Sequence, residues 1–505
     1  MDERRFVLAI DQSTQGTKAV LFDGDGACVA KVARPHRQLV NAKGWVSHDP
    51  EEIVTNVLAA ARDVCSSVGV RAGEVRAVGL SNQRETCVAW DRESRMPLAN
   101  AIVWQCGRAA GLVEELRAAD PVGAGAVPGL SGLTLSPYFS AAKMAWLLRN
   151  VPSVREAADN GTLCLGTVDS WLLFKLTKGR VFATEPSNAC RTQLLDLASG
   201  QWSPQLCAFF GVPIGALPPV RASNARFGAT TMGGLFDDPV PICGVLGDSQ
   251  AALFAQGCTK PGDVKVTYGT GSSVMMQTGP ELVRSGHGLV TSMAWRIGDE
   301  CDYVLEGNVN YSGAVITWLR DQMQLIDEPA EVAELAENSN REDRSFFVPA
   351  FTGLGAPWWD PQATGLLTGV TRTTGRNEMV RACAESIPLQ VTDIVDAMRA
   401  DTGFAVPFLA ADGGASQNRW IMQRQADLAG SEVGVSSLGE LSAGGAASLA
   451  GQSVGLYSDN AVARHRELGS VARAADDAWR TQRLAQWHEA VARACLRPGS
   501  LHPEQ

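Results

Sequence analysis

The strongest indication of a fold lies in residues 11–18, which read Asp11-Gln12-Ser13-Thr14-Gln15-Gly16-Thr17-Lys18. One apolar run, Phe6 to Ile10, precedes this stretch, and another follows it and ends at Phe22. The pattern predicts two strands joined by a tight polar turn, whose N–H and hydroxyl groups can bind phosphate beside the Lys18 cation. Asp11 could hold Mg²⁺ through water. From these residues alone, a plain hairpin capped by Asp11 is an equal alternative, and a Walker A loop is excluded because GxxxxGK[ST] is absent.

The same arrangement occurs a second time, in residues 264–277. Val264 to Tyr268 is strand-like, Gly269-Thr270-Gly271-Ser272-Ser273 is a turn of small residues, and Val274 to Met276 resumes a strand. Two copies predict an internal duplication with one phosphate-facing turn in each half. We place the boundary near residue 255, which gives domains 1–255 and 256–505.

The segments between the two turns predict an α/β fold. A helix is expected over residues 50–67, with Asp49 as its cap, Pro50 in its first turn and Glu52 in the spacing of a capping box. A strand is expected over residues 75–80. Alternating strands and helices favour a sheet that carries its chemistry at strand ends. The last 25 residues predict a helix and a Pro-rich tail.

Two further strand ends carry charged residues. Asp248 follows the apolar run 242–246, where a carboxylate could accept the proton of an alcohol during phosphoryl transfer, although it could also cap a helix. Arg84 and Glu85 offer a cation and a carboxylate to a polyol, and Trp104 and Tyr138 could form an apolar wall. The alternative is a surface ion pair with two core aromatic residues.

A glycine pair marks a further candidate site. Residues 412–418, Asp412-Gly413-Gly414-Ala415-Ser416-Gln417-Asn418, follow an apolar strand and open a helix. Two glycines at a helix start allow a ligand to approach the backbone, which suits a nucleotide.

Composition excludes several classes of protein. The 505 residues are 45% hydrophobic and carry 44 Lys and Arg against 54 Asp and Glu, a net charge of −10. No long basic block is present, so we expect neither nucleic-acid binding nor membrane insertion. The short N-terminal apolar run predicts a cytoplasmic protein. The twelve scattered cysteines, without a CxxC pair, favour reduced thiols.

Taken together, the chain resembles the FGGY carbohydrate kinase family, most closely its members that act on glycerol. The resemblance covers roughly residues 5–490 and rests on these stretches in family order: residues 11–18, Gly44-Trp45-Val46, Asn82-Gln83-Arg84-Glu85-Thr86, residues 101–106, Pro137-Tyr138-Phe139-Ser140, Gly166-Thr167-Val168-Asp169, Gly247-Asp248, Tyr268-Gly269-Thr270-Gly271, residues 348–357 and Asp412-Gly413-Gly414.

The resemblance implies a duplicated actin-like, ribonuclease-H-like ATPase fold with ATP and polyol in the cleft between the halves. It implies that Asp248 is the catalytic base, with Mg²⁺ near Asp11 and the polyol site in the first domain. The residues matching polyol contacts are Arg84, Glu85, Trp104, Tyr138, Asp248, Ser249 and Ser273. Those matching nucleotide contacts are Thr14, Gln15, Gly16, Lys18, Thr270, Gly313, Thr317, Gly414 and Asn418.

Departures from the family pattern keep the substrate open. Members that act on glycerol usually carry Gln where this chain has Ser249 and Phe where it has Ser273. The expected reaction is phosphorylation of a terminal hydroxyl of glycerol. The alternatives are a longer polyol or sugar (erythritol, ribitol, xylitol or a ketose) and a catalytically silent polyol or nucleotide sensor. A homodimer or higher homo-oligomer also stays open.

Overall fold

The computed structural model describes residues 5–71, 73–465 and 468–496. The predicted Pro-rich tail lies mostly outside the described residues. The strands are β1 (Phe6–Gln12), β2 (Gly16–Phe22), β3 (Cys28–Pro35), β4 (Leu39–Val40), β5 (Val46–His48), β6 (Val75–Asn82), β7 (Cys87–Asp91), β8 (Ala101–Ile102), β9 (Leu163–Thr167), β10 (Leu195–Asp196), β11 (Gln201–Trp202), β12 (Gly228–Thr230), β13 (Val240–Gly247), β14 (Val264–Tyr268), β15 (Ser272–Gly279), β16 (Val290–Ile297), β17 (Glu300–Val309), β18 (Phe346–Val348), β19 (Leu366–Thr368), β20 (Phe408–Asp412), β21 (Glu432–Ser436) and β22 (Leu468–Val471).

Helices connect and cover the sheets. The α-helices are α1 (Pro50–Ser67), α2 (Ala110–Ala119), α3 (Pro121–Ser131), α4 (Ser140–Asn150), α5 (Pro152–Asp159), α6 (Val168–Leu176), α7 (Pro186–Ala189), α8 (Pro204–Phe210), α9 (Asp248–Ala255), α10 (Gly313–Asp321), α11 (Glu331–Glu337), α12 (Arg376–Thr402), α13 (Arg419–Ala429), α14 (Leu441–Ser453), α15 (Ala461–Arg464) and α16 (Asp477–Ala494). In the described part of the chain, none is long and apolar enough to cross a membrane.

The two large sheets are built on one plan. The first has the order β12-β13-β6-β1-β2-β3, in which β1, β2 and β3 are antiparallel neighbours and β6 and β13 run parallel to β1. The second has the order β16-β17-β15-β14-β20-β21-β22 and repeats this pattern with β14, β15 and β17, followed by parallel β20 and β21. In each sheet an antiparallel strand, β12 or β22, closes the parallel edge. The predicted duplication is confirmed by this match of six strands, to which the second sheet adds β16.

Each large sheet has its own hydrophobic core. In the first, fully buried residues of β1 and β6 pack against α1, whose apolar positions recur at helical spacing. In the second, α12 crosses the sheet and buries most of its length. A separate sheet of β4, β5, β8, β7 and β9 packs with α2 to α5. These cores hold the ends of β1, β13, β14 and β20 in place.

One helix from the C-terminal half packs on the sheet of the first half. Small residues of α14, such as Ala443 and Ala447, join Val7 and Ala77 in one core. A Cβ atom at Gly445 would overlap the carbonyl oxygen of Ala251 in α9. The absence of a side chain at Gly445 therefore brings α14 against α9, the helix that begins with Asp248.

Two local predictions about helix starts are wrong. Helix α1 begins at Pro50 with Asp49 as its cap, as predicted, but Glu52 forms no capping box. The Glu52 carboxylate instead accepts hydrogen bonds from the backbone N and the Nε of Arg37, at 3.2 and 3.1 Å. Arg37 thus takes the carboxylate that a capping box would use for the Asp49 backbone N–H. The alternative reading of Asp248 as a helix cap is also wrong, since Gly247 occupies the cap position.

Candidate active site

A cleft of about 480 Å³ is lined by strand ends of both large sheets. Asp11 and Lys18 come from the first sheet, and Thr267 and Asp412 come from the second. An adjoining part of the cleft is lined by Thr14, Gln15, Gly16, Lys18 and Asp248. The structure thus brings the first turn, Asp11 and Asp248 together, as the sequence predicted.

Asp248 lies where β13 meets α9, with about a third of its side chain exposed. Its Oδ1 accepts hydrogen bonds from the Ser249 backbone N at 2.7 Å and from the Ser249 Oγ at 3.3 Å. The Arg84 Nε lies 3.5 Å from the same oxygen. Burial raises the pKa of Asp248, Arg84 opposes that shift, and Glu85 adds to it. A carboxylate with a raised pKa is a stronger base than one in water.

Four buried charged residues form a network behind Asp248. Arg84 donates to both carboxylate oxygens of Glu306, at 3.0 and 2.8 Å, and Arg191 donates to Glu306 at 3.0 Å. The Arg191 Nε also donates to Glu85 at 2.6 Å. Although burial alone would raise it, Arg191 and Arg84 hold the pKa of Glu306 at about 2. Arg84 and Glu85 are both buried, so the alternative reading of them as a surface pair is wrong.

Glu85 occupies a special backbone position. Its φ is 60°, in the left-handed region that a residue other than glycine rarely adopts. Its carbonyl oxygen accepts a hydrogen bond from the Ser140 Oγ at 3.0 Å, at the start of α4. In this turn, which follows β6, the side chain of Arg84 contacts Glu306 and the side chain of Glu85 contacts Arg191.

Two partly buried aromatic side chains lie beside the first turn. The rings of Trp104 and Tyr138 meet edge to face, 5.5 Å apart. The Trp104 Nε1 donates to the Thr14 Oγ1 at 2.8 Å, and the Trp104 backbone N donates to the Thr86 Oγ1 at 3.1 Å. The aromatic wall and the phosphate turn are therefore joined by a direct hydrogen bond.

Carboxylates at the first turn suit a divalent cation. Burial and the nearby Asp248 carboxylate raise the pKa of Asp11 to about 7, while Lys18 opposes the shift. The Ser81 Oγ donates to one Asp11 oxygen, and carboxylate oxygens are ligands that Mg²⁺ prefers. Lys18 itself donates to Glu440 at 2.8 Å, just before α14.

The remaining residues that were predicted to contact the nucleotide lie at the second turn and at the starts of two helices. The Gly269 carbonyl accepts from the Gly313 N at 2.9 Å, and the Thr270 carbonyl accepts from the Ala314 N at 3.1 Å, which fixes α10 against the turn. Thr317 lies one turn further along α10, with its hydroxyl 3.3 Å from the Gly313 carbonyl oxygen.

Gly414 and Asn418 lie in the segment that connects β20 to α13. Gly414 begins a short 3-10 helix after β20, and Asn418 caps α13 through a 3.1 Å hydrogen bond from the Ile421 N. Their neighbours Gly413 and Gln417 line the cleft, and Gly413 has a φ of 91°. A Cβ atom at Gly413 would overlap the Tyr268 carbonyl, so only glycine allows this close approach.

Further polar side chains line the cleft around Asp248. Ser249 and Ser273 both line it, together with Thr267 and Lys265. The hydroxyls of Thr267 and Ser273 are buried, and within the described residues neither has a hydrogen-bond partner. Buried hydroxyls without partners are uncommon in folded proteins, and these two belong to residues that line the cleft.

Several charged residues of the site, among them Glu306, Arg191 and Glu440, were not predicted from the sequence. Glu306 is the single charged residue between Tyr303 and Val309. An isolated charge in a buried strand is the signal that could have found it. Arg191 and Glu440 lie in segments without such a signal. Their distant partners, Glu85 and Lys18, become neighbours only in the folded chain.

Two family models match this chain. The N-terminal domain of the FGGY family of carbohydrate kinases matches residues 6–255, and the C-terminal domain of that family matches residues 264–454. The chain belongs to the FGGY family of carbohydrate kinases. The resemblance predicted from the motifs is confirmed, and membership makes the protein a carbohydrate kinase.

Relatives cover nearly the whole chain. The glycerol kinase of Shewanella amazonensis is 43% identical over 97% of this chain and 99% of its own length. The glycerol kinase of Symbiobacterium thermophilum is 44% identical over 97% and 98%. A Plasmodium falciparum glycerol kinase solved with ADP superposes with a TM-score of 0.92 at 33% identity and covers 98% of this chain and 99% of its own. The predicted two-domain, actin-like α/β fold is confirmed.

The fold extends to family members with less similar sequences. The xylulose kinase of Rhodospirillum rubrum has a TM-score of 0.85 at 23% identity and covers 97% of this chain and 98% of its own. At that identity the likeness shows the fold alone.

Proposed function

We propose that this chain transfers the γ-phosphoryl group of ATP, in the presence of Mg²⁺, to a terminal hydroxyl of a small polyol. Glycerol is the polyol that we propose as its main substrate. The observation that carries the proposal is the position of Asp248, which lies in the cleft beside the first phosphate turn and next to Arg84. The glycerol kinases that are 41–44% identical to this chain support glycerol as the substrate.

The polyol is held by residues of the first half. Arg84 and Glu85 orient its hydroxyls through the charged network, and Trp104 and Tyr138 cover its carbon chain. Asp248 accepts the proton of the attacking hydroxyl as the new O–P bond forms and the bond to ADP breaks. Burial raises the pKa of Asp248, which favours proton acceptance in the transition state.

The nucleotide is held by both turns. Thr14, Gln15, Gly16, Lys18 and Thr270 contact its phosphates, and the adenosine lies against Gly313, Thr317, Gly414 and Asn418. Asp11 would hold Mg²⁺, which would neutralise negative charge on the phosphate oxygens when bound. The Glu440 carboxylate positions Lys18 before the phosphates arrive.

The remaining proposals follow from this role. The polyol site and the first phosphate turn belong to a domain of residues 1–255, and the rest of the nucleotide site belongs to residues 256–505. We place this activity in the cytoplasm and propose no nucleic-acid or membrane partner for it. A homodimer or higher oligomer is compatible with this activity. A silent sensor would not need Asp248 beside the phosphate turn, which weighs against that alternative.

A specific observation favours a second candidate, a kinase of a longer polyol. Thr267, Ser273 and Asn308 lie side by side on β14, β15 and β17, so their side chains point to one face of the sheet. The Thr267 and Ser273 hydroxyls are buried in the cleft and lack partners among the described residues. Additional hydroxyls of erythritol, ribitol or xylitol could bind there.

A substrate panel tests the proposed function. ADP release should require a polyol, with glycerol, erythritol, ribitol, xylitol and a ketose compared at equal concentration. Turnover with at least one of them identifies a kinase. The proposal fails if none accelerates ADP release from ATP in a folded, ATP-binding protein.

A double variant tests the longer-polyol candidate. Ser249→Gln/Ser273→Phe should raise kcat/KM for glycerol relative to erythritol by roughly 10–200-fold, because it fills the polar end of the site. If the wild type prefers glycerol by more than about tenfold over every longer polyol, the second candidate fails and glycerol stands.

A further inference from the structure

A second cavity, of about 600 Å³, lies among helices of the C-terminal half. It shares no lining residue with the cleft. Side chains of α12, α13 and α16 converge on it, and its lining holds four arginines, two tryptophans and three carboxylates. The residues that carry the argument are Arg341, Arg381, Arg424, Trp420 and Trp479. The catalytic scheme uses none of them.

Two guanidinium groups of this cavity, those of Arg381 and Arg424, are incompletely paired, whereas Arg483 donates to both carboxylate oxygens of Glu385. Arg381 donates to the Asp343 Oδ1 at 2.7 Å and to the Asp343 carbonyl at 2.9 Å, but its buried Nε has no partner within the described residues. Arg424 lies between the rings of Trp420 and Trp479, 5.2 and 5.3 Å from their centroids, and its nearest carboxylate, that of Asp427, is 3.8 Å away. At that distance Arg424 forms an ion pair without a hydrogen bond.

Positive charge is crowded here. Burial lowers the pKa of Arg381, Glu385 and Asp343 oppose the shift, and Arg483 and Arg424 add to it. In the catalytic cleft the balance is reversed, because the neighbouring carboxylates raise the pKa of Arg84 and Arg191 despite burial. Arg381 therefore has less compensating negative charge than Arg84 and Arg191 have in the active site.

We infer that this cavity is a binding site for a phosphorylated small molecule. Guanidinium groups bind phosphate through paired N–H donors. Arg341, Arg381 and Arg424 have guanidinium N–H groups without an acceptor among the described residues. The volume exceeds that of a phosphate ion and falls in the range of small-molecule sites, roughly 300–1,000 Å³. The indoles of Trp420 and Trp479 leave an apolar wall for the rest of the ligand.

Calorimetry with inorganic pyrophosphate in magnesium-free buffer tests the site. The variant Arg341→Ala/Arg424→Gln should weaken pyrophosphate binding at one site at least tenfold. The matched control, Arg62→Gln, changes an exposed arginine of α1 and should titrate like the wild type. The cleft variant Lys18→Ala should retain the site that the double variant loses.

Folding is checked by the kcat of the double variant without pyrophosphate, which should equal that of the wild type. If the double variant is misfolded, Arg341→Glu alone, at an exposed position, should still weaken binding at least tenfold. Unchanged titration of a folded variant overturns the inference, as does a titration altered only by Lys18→Ala. Binding of citrate in place of pyrophosphate would overturn the assignment to phosphate.

Discussion

Asp248 is the residue on which the proposed chemistry depends most. Asp248→Asn keeps the size of the side chain but removes the base, so kcat should fall by ~10²–10⁴-fold while ATP still binds. Asp159→Asn, at an exposed position outside the cleft, is the control and should retain full activity. An Asp248→Asn enzyme with more than half of the wild-type kcat would assign proton transfer to another residue.

Glu306 holds two buried arginines and should dominate local stability. Glu306→Gln leaves Arg84 and Arg191 without their shared carboxylate, so the free energy of unfolding in urea should fall by ~3–5 kcal/mol. Glu300→Gln, exposed on the same strand, is the matched control and should change stability by less than about 0.5 kcal/mol.

The same carboxylate gives a pH dependence of known sign. The pKa of Glu306 is held at about 2, below its ordinary value of 4.5. The stability that Glu306 contributes is therefore complete above pH 4.5 and is lost as the pH falls towards 2. The stability difference between wild type and Glu306→Gln should shrink over that range, and a difference that grows in acid would contradict the charged network.

At the scale of elements, the contact between α9 and α14 links packing to catalysis. Gly445→Val would force side-chain atoms into the Ala251 backbone, which shifts α9 and the Asp248 at its start. We expect a loss of ~1–3 kcal/mol in stability, or more, together with a lower kcat. Gly129→Ala in α3, where a Cβ atom meets nothing within 4 Å, should do neither. A Gly445→Val enzyme with wild-type stability would show that the contact is loose.

The local sequence pattern predicted the positions of strands and helices better than their tertiary contacts. The two strand–turn–strand units and helix 50–67 follow from periodicity and turn residues, which act within a few positions of the chain. The pairing of Glu306 with Arg84 spans 222 residues, and the packing of α14 on the first sheet crosses the predicted boundary. Glu306 stands out locally only as a charge in a buried strand. Its pairing with Arg84 and the position of α14 are set by the assembled fold.

At the scale of the whole molecule, the cleft draws its lining from both halves. ATP and polyol bound together should bring the halves closer and exclude water from the transferred phosphoryl group. Small-angle scattering should show a smaller radius of gyration with glycerol and a non-hydrolysable ATP analogue together than with either alone. An unchanged radius, with binding confirmed independently, would argue against closure.

The central claim is phosphoryl transfer to a terminal hydroxyl, and ³¹P NMR of the reaction products tests it most directly. With ATP, Mg²⁺ and glycerol, the account predicts ADP and a phosphomonoester signal split into a triplet by the two protons of a terminal CH₂ group. That signal should be absent with Asp248→Asn over the same time. Inorganic phosphate as the sole new phosphorus species beside ADP, in the presence of glycerol and of each longer polyol, would contradict the account.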